Sequence, residues 1–401
     1  MTTYKILAQS LPTANTETGI YNTPSGSASL VRSINVTNTS STADTFDIAI
    51  LEDGNVPIVN NVYVAVSANF ANAAAASSTD GATWTARTMP SAQTWSNVAY
   101  GNSTLVSVST LAAAATSTNG TTWTARTMPS SSGWYSVTFG GGTFAAVGAN
   151  TAAAATSTNG ITWTARTLPS SKSWYSISYG GGVFVVVSYT AAAASSTDGT
   201  TWTARTLPPG GFTKVTYGTN VFVAIGGTSR AATSTDGVTW TARTLPTTAN
   251  FWSSVAYGNG VFVAGSYGAA GLSAYSTDGI TWASSTMPVP HVASEWVIGF
   301  YNNIFFGVKY GTSSNAAATS TNGITWTARS LPSSTGWQNV GAGSYDSYIS
   351  IDNKDYIFKS TPILGNETVT VKAGYTMSQN DQVRVRSNNG TSNFHIFGGE
   401  I

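Results

Sequence analysis

A segment that recurs about every forty residues constrains the fold of this chain more than any other feature. This box segment reads Ser-Thr-Asp/Asn-Gly-x-Thr-Trp-Thr-Ala-Arg-Thr-Leu/Met-Pro, with small variations, and first occurs at 78–90. Seven copies are present, and their tryptophans lie 38 to 44 residues apart: Trp84, Trp123, Trp163, Trp202, Trp240, Trp282 and Trp326. Such a period indicates stacked or radially arranged copies of one supersecondary unit.

The centre of each box segment is a turn signal. Asp-Gly and Asn-Gly pairs tolerate positive φ at both central positions of a tight hairpin. The residues before the glycines are Asp80, Asn119, Asn159, Asp198, Asp236, Asp278 and Asn322. The Thr-Trp-Thr-Ala-Arg-Thr that follows alternates like a strand with one buried face. We therefore predict a β-hairpin at every copy.

Residues 174–208 show the complete repeat most clearly. They predict four short strands, at 174–180, 183–187, 191–197 and 201–206, and four strands per forty residues is typical of a β-propeller blade. The first strand begins with an aromatic residue in each repeat: Trp95, Trp134, Trp174, Phe212, Trp252, Trp296 and Trp337. Buried aromatic rings contribute large apolar areas. We therefore expect these rings and the box tryptophans to hold the blades together.

The two ends of the repeat array predict how it closes. The first box segment is preceded by a strand at 62–66 but by no tryptophan-led strand. The last box segment is followed by a surplus strand beginning at Trp337, which can complete the first blade and remove an open sheet edge. We therefore predict seven blades. A second surplus strand, Tyr345–Ile351, can belong either to the ring or to the terminal domain.

Residues 1–56 and 352–401 differ in composition from the repeats. They hold 17 of the 33 charged residues and no box segment. Alternating strands are predicted at 4–11, 29–38, 45–51, 354–359, 367–372, 382–386 and 393–397. About a hundred residues suit one antiparallel β-sandwich, interrupted by the propeller at 57–351, because insertion is tolerated where entry and exit lie close together. The alternative is two separate small β domains.

Composition excludes several classes of function. Charged residues make up 8% of the chain and the net charge is +1. With no lysine or arginine run, we expect no nucleic-acid partner. Neither a long apolar stretch nor a Sec-type start is present, so we expect no membrane insertion and no Sec export. The chain has no cysteine, which removes disulfides and thiolate sites, and we expect neither metal nor cofactor.

The box segment resembles the Asp box, Ser-x-Asp-x-Gly-x-Thr-Trp, of sialidase-like (BNR repeat) propellers, although here Asp directly precedes Gly. The resemblance covers about 57–351. It implies a turn between the third and outermost strands of each blade, remote from any catalytic centre. The terminal segments, such as Arg32 to Ser40 and Phe394 to Gly398, are similar to a β-sandwich of tailed-bacteriophage structural proteins.

The repeat positions argue against catalysis. Six arginines stand three residues after a box tryptophan, so we expect them around the rim, where they cannot converge on a substrate: Arg87, Arg126, Arg166, Arg205, Arg243 and Arg329. Four of the six carboxylates in 57–351 are box residues that Asn replaces elsewhere. The two histidines, His291 and His395, fall in different predicted domains. A glycosidase with paired carboxylates or a metal centre is therefore not expected.

Binding is the remaining expectation. If the blade order follows that of the resembled propellers, the residues that break the repeat fall in loops that share one face of the predicted disc, and aromatic loops suit sugar recognition. These candidate binding residues are Phe70, Lys172, Tyr189, Arg230, Tyr267, His291, Glu295 and Tyr310. The longest departure from the repeat is 287–295, which contains His291 and Glu295.

These features, with the phage resemblance, predict a non-enzymatic structural protein on the exterior of a phage particle. The sandwich would contact other virion proteins, and the propeller would contact host surface glycans. The low surface charge favours a homo-oligomer. Two alternatives stay open: a secreted or surface bacterial lectin-like adhesin, and a divergent sialidase-like glycan hydrolase.

Overall fold

The structure is a computed structural model, and the parts of the chain that it describes are all-β, with no helix. The described residues are 5–10, 18–22, 29–38, 44–51, 56–67, 69, 71, 73–246, 251–268, 271–288, 294–310, 314–334, 336–349, 355–363, 368–377, 382–387 and 392–400. Within them no helix could span a bilayer. The chain divides into two compact units, one formed by Met1–Ile58 with Asp346–Ile401 and the other by Val59–Tyr345.

Both ends of the chain contribute strands to the same sheets. The early strands are β1 (Lys5–Ser10), β2 (Thr18–Asn22), β3 (Ser29–Asn38) and β4 (Asp44–Leu51). The late ones are β31 (Asp355–Ile363), β32 (Thr368–Met377), β33 (Gln382–Ser387) and β34 (Ser392–Glu400). They form two four-stranded sheets in the orders β1-β34-β3-β32 and β2-β33-β4-β31. Each sheet therefore alternates strands from the two ends of the sequence.

The repeats supply the strands between these ends. The first three sets are β5 (Val56–Ser67), β6 (Ala74–Ser78), β7 (Thr85–Thr88); β8 (Trp95–Gly101), β9 (Thr104–Ser109), β10 (Ala113–Ser117), β11 (Thr124–Thr127); and β12 (Trp134–Gly140), β13 (Thr143–Ser157), β14 (Thr164–Gly180). The next two are β15 (Val183–Ser188), β16 (Ala192–Ser196), β17 (Thr203–Thr206); and β18 (Lys214–Gly218), β19 (Val221–Gly226), β20 (Arg230–Ser234), β21 (Thr241–Thr244). The last are β22 (Phe251–Gly258), β23 (Val261–Gly268), β24 (Leu272–Ser276), β25 (Ala283–Thr286); β26 (Ser294–Tyr301), β27 (Ile304–Tyr310), β28 (Ala316–Ser320), β29 (Thr327–Ser330); and β30 (Trp337–Ile349).

Each repeat is an antiparallel meander of four strands. The sheets β8-β9-β10-β11 and β18-β19-β20-β21 are separate, whereas the long strands β13 and β14 join two meanders into one six-stranded sheet. The meander ends in the box hairpin, where the glycine has φ between +69° and +73° in all seven copies. That conformation is open to glycine without strain, which explains the invariant second residue of the turn.

Strand β5 lies next to β30 in a twelve-stranded sheet whose order ends β27-β30-β5-β6-β7. The side chains of β5 alternate between two cores. Tyr63 and Ala65 pack with Phe306 and Trp337 at the end of the array. Val62 and Val64 belong to a second cluster, which includes residues of β8 and β9. The β5 sheet is therefore buried against both the first and the last of the other repeats.

Pairs of neighbouring sheets share the other apolar clusters. The predicted packing role of the first-strand aromatic residues is consistent with their burial, since all seven are at most 2% exposed. A further contact recurs beside them. The glycine that ends the first strand lies directly under an aromatic ring of the next repeat, as Gly140 does under Tyr179 and Gly180 under Tyr217. These glycines set the distance between repeats.

Two details differ from the sequence prediction. Trp337 and the predicted separate strand Tyr345–Ile351 belong largely to one strand, β30, which runs unbroken to Ile349, and residues 350–351 lie outside the described part. Strand β2 was not predicted because Thr18–Asn22 is short and contains Gly19 and Asn22, which are poor strand formers.

Candidate functional site

The acidic or amide side chain of each box segment holds its own turn. Oδ1 of Asp198 accepts hydrogen bonds from the backbone N–H of Thr200 at 2.7 Å and of Thr201 at 2.8 Å. Oδ1 of Asn159 makes the same pair of contacts at 2.9 and 3.1 Å. A neutral amide therefore performs the same local task as a carboxylate.

The six repeated arginines bind within their own sheets. Each Nε donates to a serine or threonine hydroxyl ten residues earlier, at distances from 2.8 to 3.1 Å. For example, Arg166 contacts Thr156 and Arg205 contacts Ser195. One arginine stands in each of six repeats, so these side chains do not form a common site.

A cavity of about 540 Å³ lies where the first strands of the repeats begin. One residue from each repeat lines it, the residue that follows the first-strand aromatic ring: Ser96, Tyr135, Tyr175, Thr213, Ser253, Val297 and Gln338. Ligand pockets are typically concave and mostly apolar, with a few convergent polar groups. This cavity has that character and is the candidate site.

A β-bulge turns several of these residues toward the cavity. The strand register shifts between Trp134 and Ser136, so that Tyr135 has no partner on β13. The same shift occurs around Tyr175 and Ser253. Bulges re-aim side chains and are frequent beside functional sites. The repeat therefore presents the position after its tryptophan to the cavity.

Aromatic rings form a continuous wall. Tyr135 and Tyr175 meet edge to face with ring centroids 5.7 Å apart. Tyr175 contacts Tyr189 at 6.0 Å, and Tyr189 stacks on Phe251 at 6.1 Å. Aromatic pairs of this geometry are favourable. Burial also raises the pKa of the Tyr175 hydroxyl, with a smaller effect of Tyr135, so Tyr175 is neutral at ordinary pH.

Two charged side chains face the same cavity, Lys214 of β18 and Glu295 of β26. Burial lowers the pKa of Lys214, and the nearby Glu295 opposes that shift. Burial raises the pKa of Glu295, whereas Lys214 and Ser253 lower it. Desolvation penalises the charged form of both groups. The cavity is therefore a site where opposite charges are held with incomplete hydration.

Three of the predicted binding residues lie on the cavity wall. In the strand register Glu295 of β26 lies opposite Tyr267 of β23 on one side and Tyr310 of β27 on the other. Burial raises the pKa of Tyr310, and the charge of Glu295 adds to the shift. A fourth, Tyr189, contacts two lining residues, Tyr175 and Phe251. These four are brought together, and their binding role stays a prediction.

The other predicted residues are not brought to the cavity. Lys172 is exposed and lies opposite Thr151 in the β13–β14 pair. Arg230 begins β20, and its side chain lies over Gly210. Phe70 and His291 lie outside the described residues. No group of three or more potential metal-ligating side chains occurs in the described part of the chain.

Sequence reasoning missed Tyr135, Tyr175, Lys214 and Ser253. Alternation alone does not show that a bulge follows the tryptophan, because a bulge changes which residue faces which side. A signal was available in the repeat itself. The position after the first-strand aromatic residue varies in size and polarity from copy to copy, whereas the neighbouring tryptophan is almost invariant.

Repeated four-stranded meanders with a cavity at the start of their first strands define a β-propeller protein. Solved structures share this fold. Streptogramin B lyase is 14% identical, with a TM-score of 0.53, over 68% of this chain and 88% of its own. A catalytically inactive virginiamycin B lyase from Staphylococcus aureus with quinupristin is 13% identical, with a TM-score of 0.52, over 59% of this chain and 84% of its own.

A structure of YCF48 bound to D1 peptide is 16% identical, with a TM-score of 0.49, over 69% of this chain and 91% of that one. No family model matches the sequence, and no curated protein matches it. At such low identities the likeness concerns the β-propeller fold alone.

Proposed function

We propose that this chain is a non-enzymatic virion protein of a tailed phage, whose propeller binds host surface glycans in the cavity. The observation that carries the binding proposal is the wall of tyrosine and phenylalanine rings with a few polar groups between them. Aromatic rings stack on the apolar faces of sugars, and amide and hydroxyl groups such as those of Gln338 and Thr213 bind sugar hydroxyls.

We also propose that the repeats form a seven-bladed ring inserted into a β-sandwich. In support, β5 packs between the first and last of the other repeats, and both ends of the chain contribute to the same two sheets. Such a terminal domain is suited to anchoring the protein to other virion proteins, with the ring outward. An experimental density map that shows an open ring or another number of blades would contradict this architecture.

The non-enzymatic part of the proposal is supported by the residues around the cavity. Among the described lining residues Glu295 carries the only carboxylate, whereas most glycosidases use two. The arginines that a sialidase would need for the substrate carboxylate are engaged in their own sheets. A divergent hydrolase would instead release free sugar from host polysaccharide, which a reducing-sugar assay detects.

Binding is tested with the full chain on a glycan array, followed by calorimetry with the best ligand. We expect Tyr135→Ala to weaken binding about tenfold, because one stacked ring contributes about 1 to 2 kcal/mol. Ile161→Ala is the matched control, since Ile161 is 46% exposed on a box turn and does not line the cavity. Equal loss in both variants, or no binding to any glycan, would contradict the cavity assignment.

The virion location is tested separately. Mass spectrometry and antibody labelling of purified particles should find the protein on the particle exterior. A protein recovered only from the bacterial surface or culture medium would favour the lectin-like adhesin instead.

A further inference from the structure

The two charged residues of the cavity stand at different positions within the repeat. Lys214 lines both the cavity and a smaller space of about 300 Å³ that is formed by the first strands further along. The equivalent residues of the other repeats are uncharged: Asn97, Ser136, Ser176, Ser254, Ile298 and Asn339. Lys214 is thus a single cation at the inner end of the cavity, and Asn339 also lines both spaces.

Glu295 stands at a different position of the repeat, one residue before the first-strand tryptophan. The equivalent residues are again uncharged: Thr94, Gly133, Ser173, Gly211, Phe251 and Gly336. The strand register places Glu295 between Tyr267 and Tyr310. A carboxylate flanked by two aromatic rings is suited to an ammonium group, because ring faces attract cations.

From this arrangement we propose that the cavity binds a zwitterionic group, with its ammonium end between Tyr267, Tyr310 and Glu295 and its anionic end at Lys214. The inference rests on the proposed function and names the chemistry of the ligand, a charged substituent that a surface glycan can carry.

The charges themselves favour a zwitterion over a simple ion. Lys214 repels a lone cation in this cavity, and Glu295 repels a lone anion, whereas a ligand with both charges satisfies both side chains. Lys214 and Glu295 interact electrostatically, yet within the described residues no direct ion pair joins them. Bringing two charges out of water is costly unless each is paired. A zwitterion between them supplies that pairing.

The hydroxyl of Ser253 also lines the cavity beside Glu295. Its hydrogen bond to Glu295 lowers the pKa of that carboxyl group and so favours the charged carboxylate that a ligand ammonium group would meet.

The test compares one zwitterion with its two halves. Isothermal titration calorimetry of the full chain would use glycerophosphocholine, choline and dimethyl phosphate. We expect glycerophosphocholine to bind at least about tenfold more tightly than either half, because each half is repelled by one of the two side chains. Equal affinities for the three probes would overturn the proposal without any variant.

Two charge-removing variants make a crossed prediction. Glu295→Gln should weaken choline and strengthen dimethyl phosphate, because it removes an attraction for one and a repulsion for the other. Lys214→Met should do the reverse, and both should weaken glycerophosphocholine about tenfold. Lys172→Met and Asp198→Asn are matched controls that lose the same charges away from the cavity, and neither should change any affinity.

The outcomes separate the two proposals. If neutral glycans bind and glycerophosphocholine does not, the zwitterion is ruled out and glycan binding stands. If neither binds, both proposals fail. If glycerophosphocholine binds with the same affinity to wild type, Glu295→Gln and Lys214→Met, its site lies elsewhere and the inference is also overturned. Phosphatidylcholine vesicles identify the source: vesicle binding indicates a lipid headgroup, and its absence together with probe binding indicates a substituent on a soluble glycan.

Discussion

At the scale of single residues, the box position depends on one oxygen atom. Oδ1 of Asp80 accepts hydrogen bonds from the backbone N–H of Ala82 and Thr83, both at 2.8 Å. Three copies make the same contacts with asparagine. A charge is therefore not required for the turn, whereas an acceptor is.

Substitution of Asp80 should reveal this difference. We expect Asp80→Asn to change the free energy of unfolding little at neutral pH and Asp80→Ala to lower it by about 1 kcal/mol, because only alanine removes the acceptor. Chemical denaturation of the three proteins gives the comparison. Equal destabilisation by both changes would show that the carboxylate charge matters instead.

The same residue predicts a pH dependence. Hydrogen bonds from the backbone, chiefly that of Thr83, lower the pKa of Asp80 from 3.8 to about 2. Because the folded state binds this proton less readily than the unfolded state, the contribution is full above the ordinary pKa and is lost as the pH falls toward about 2. Any advantage of wild type over Asp80→Asn should shrink across that window in pH-dependent unfolding curves, and an advantage that grows on acidification would contradict it.

The charged residues of the cavity predict a pH window for ligand binding. Burial raises the pKa of Glu295 and lowers that of Lys214, so the fully charged pair exists over a narrower range than in water. The tyrosines that face them, Tyr310 and Tyr175, have raised pKa values and stay neutral there. On acidification, the affinity for the zwitterion should begin to fall at pH values above the ordinary pKa of glutamate. On alkalinisation, it should begin to fall at pH values below the ordinary pKa of lysine.

Calorimetry with glycerophosphocholine tests this window, because the phosphodiester does not titrate within it. Glu295→Gln should abolish the fall in affinity at low pH, and Lys214→Met should abolish the fall at high pH. If either variant keeps the corresponding fall unchanged, other groups are responsible for the titration.

At the scale of the strand, glycine and an aromatic ring from the next repeat form a recurring contact. A Cβ atom on Gly180 would lie 1.9 Å from Cγ of Tyr217, and one on Gly140 would lie 2.0 Å from Cγ of Tyr179. Both distances are shorter than any real contact. Successive repeats can therefore approach this closely only where the first strand ends in glycine.

Gly180→Ala should lower the free energy of unfolding by about 1 to 3 kcal/mol or more, because the added methyl group forces the sheets apart. A double-mutant cycle with Tyr217→Ala tests the cause, since removal of the ring should reduce the cost of the alanine. Additive effects in thermal denaturation would show that the strain is not at this contact.

At the scale of the whole molecule, the start and the end of the repeat array share one core. Trp337 packs in a cluster with Tyr63 and Trp84 at one end of the array and with Phe306 at the other. The first and the last repeats are therefore packed against each other through these side chains. The stability of both repeats should depend on that shared core.

Trp337→Ala should therefore destabilise the first and the last repeats together. We expect a loss of about 3 to 5 kcal/mol and faster amide hydrogen exchange in β5–β7 as well as in β27–β29. Trp174→Ala, in the cluster between the repeats that contain β13 and β15, is the control and should accelerate exchange there first. Faster exchange confined to the last repeat after Trp337→Ala would contradict the shared core.

Most of the secondary structure could be predicted from sequence because the repeat is local. Asp-Gly or Asn-Gly turns, alternating strands and a leading tryptophan recur in each copy, and each is a short-range property. The predicted strand at 29–38 coincides with β3, and the box hairpins lie at the predicted positions. The site was predicted only in part, since Tyr267, Glu295 and Tyr310 break the repeat visibly, whereas Tyr135 and Lys214 do not stand in a loop.

The sequence alone determined the structure of one repeat. A repeat has four strands, a turn held by a side-chain oxygen, and aromatic side chains that must be buried against a neighbouring repeat. What only the tertiary structure decided is which side chains meet. A bulge after the tryptophan and the side-by-side placement of β23, β26 and β27 bring residues far apart in sequence to one cavity. The reason is physical, since turns and alternation depend on neighbours along the chain, whereas a cavity depends on how separate sheets pack.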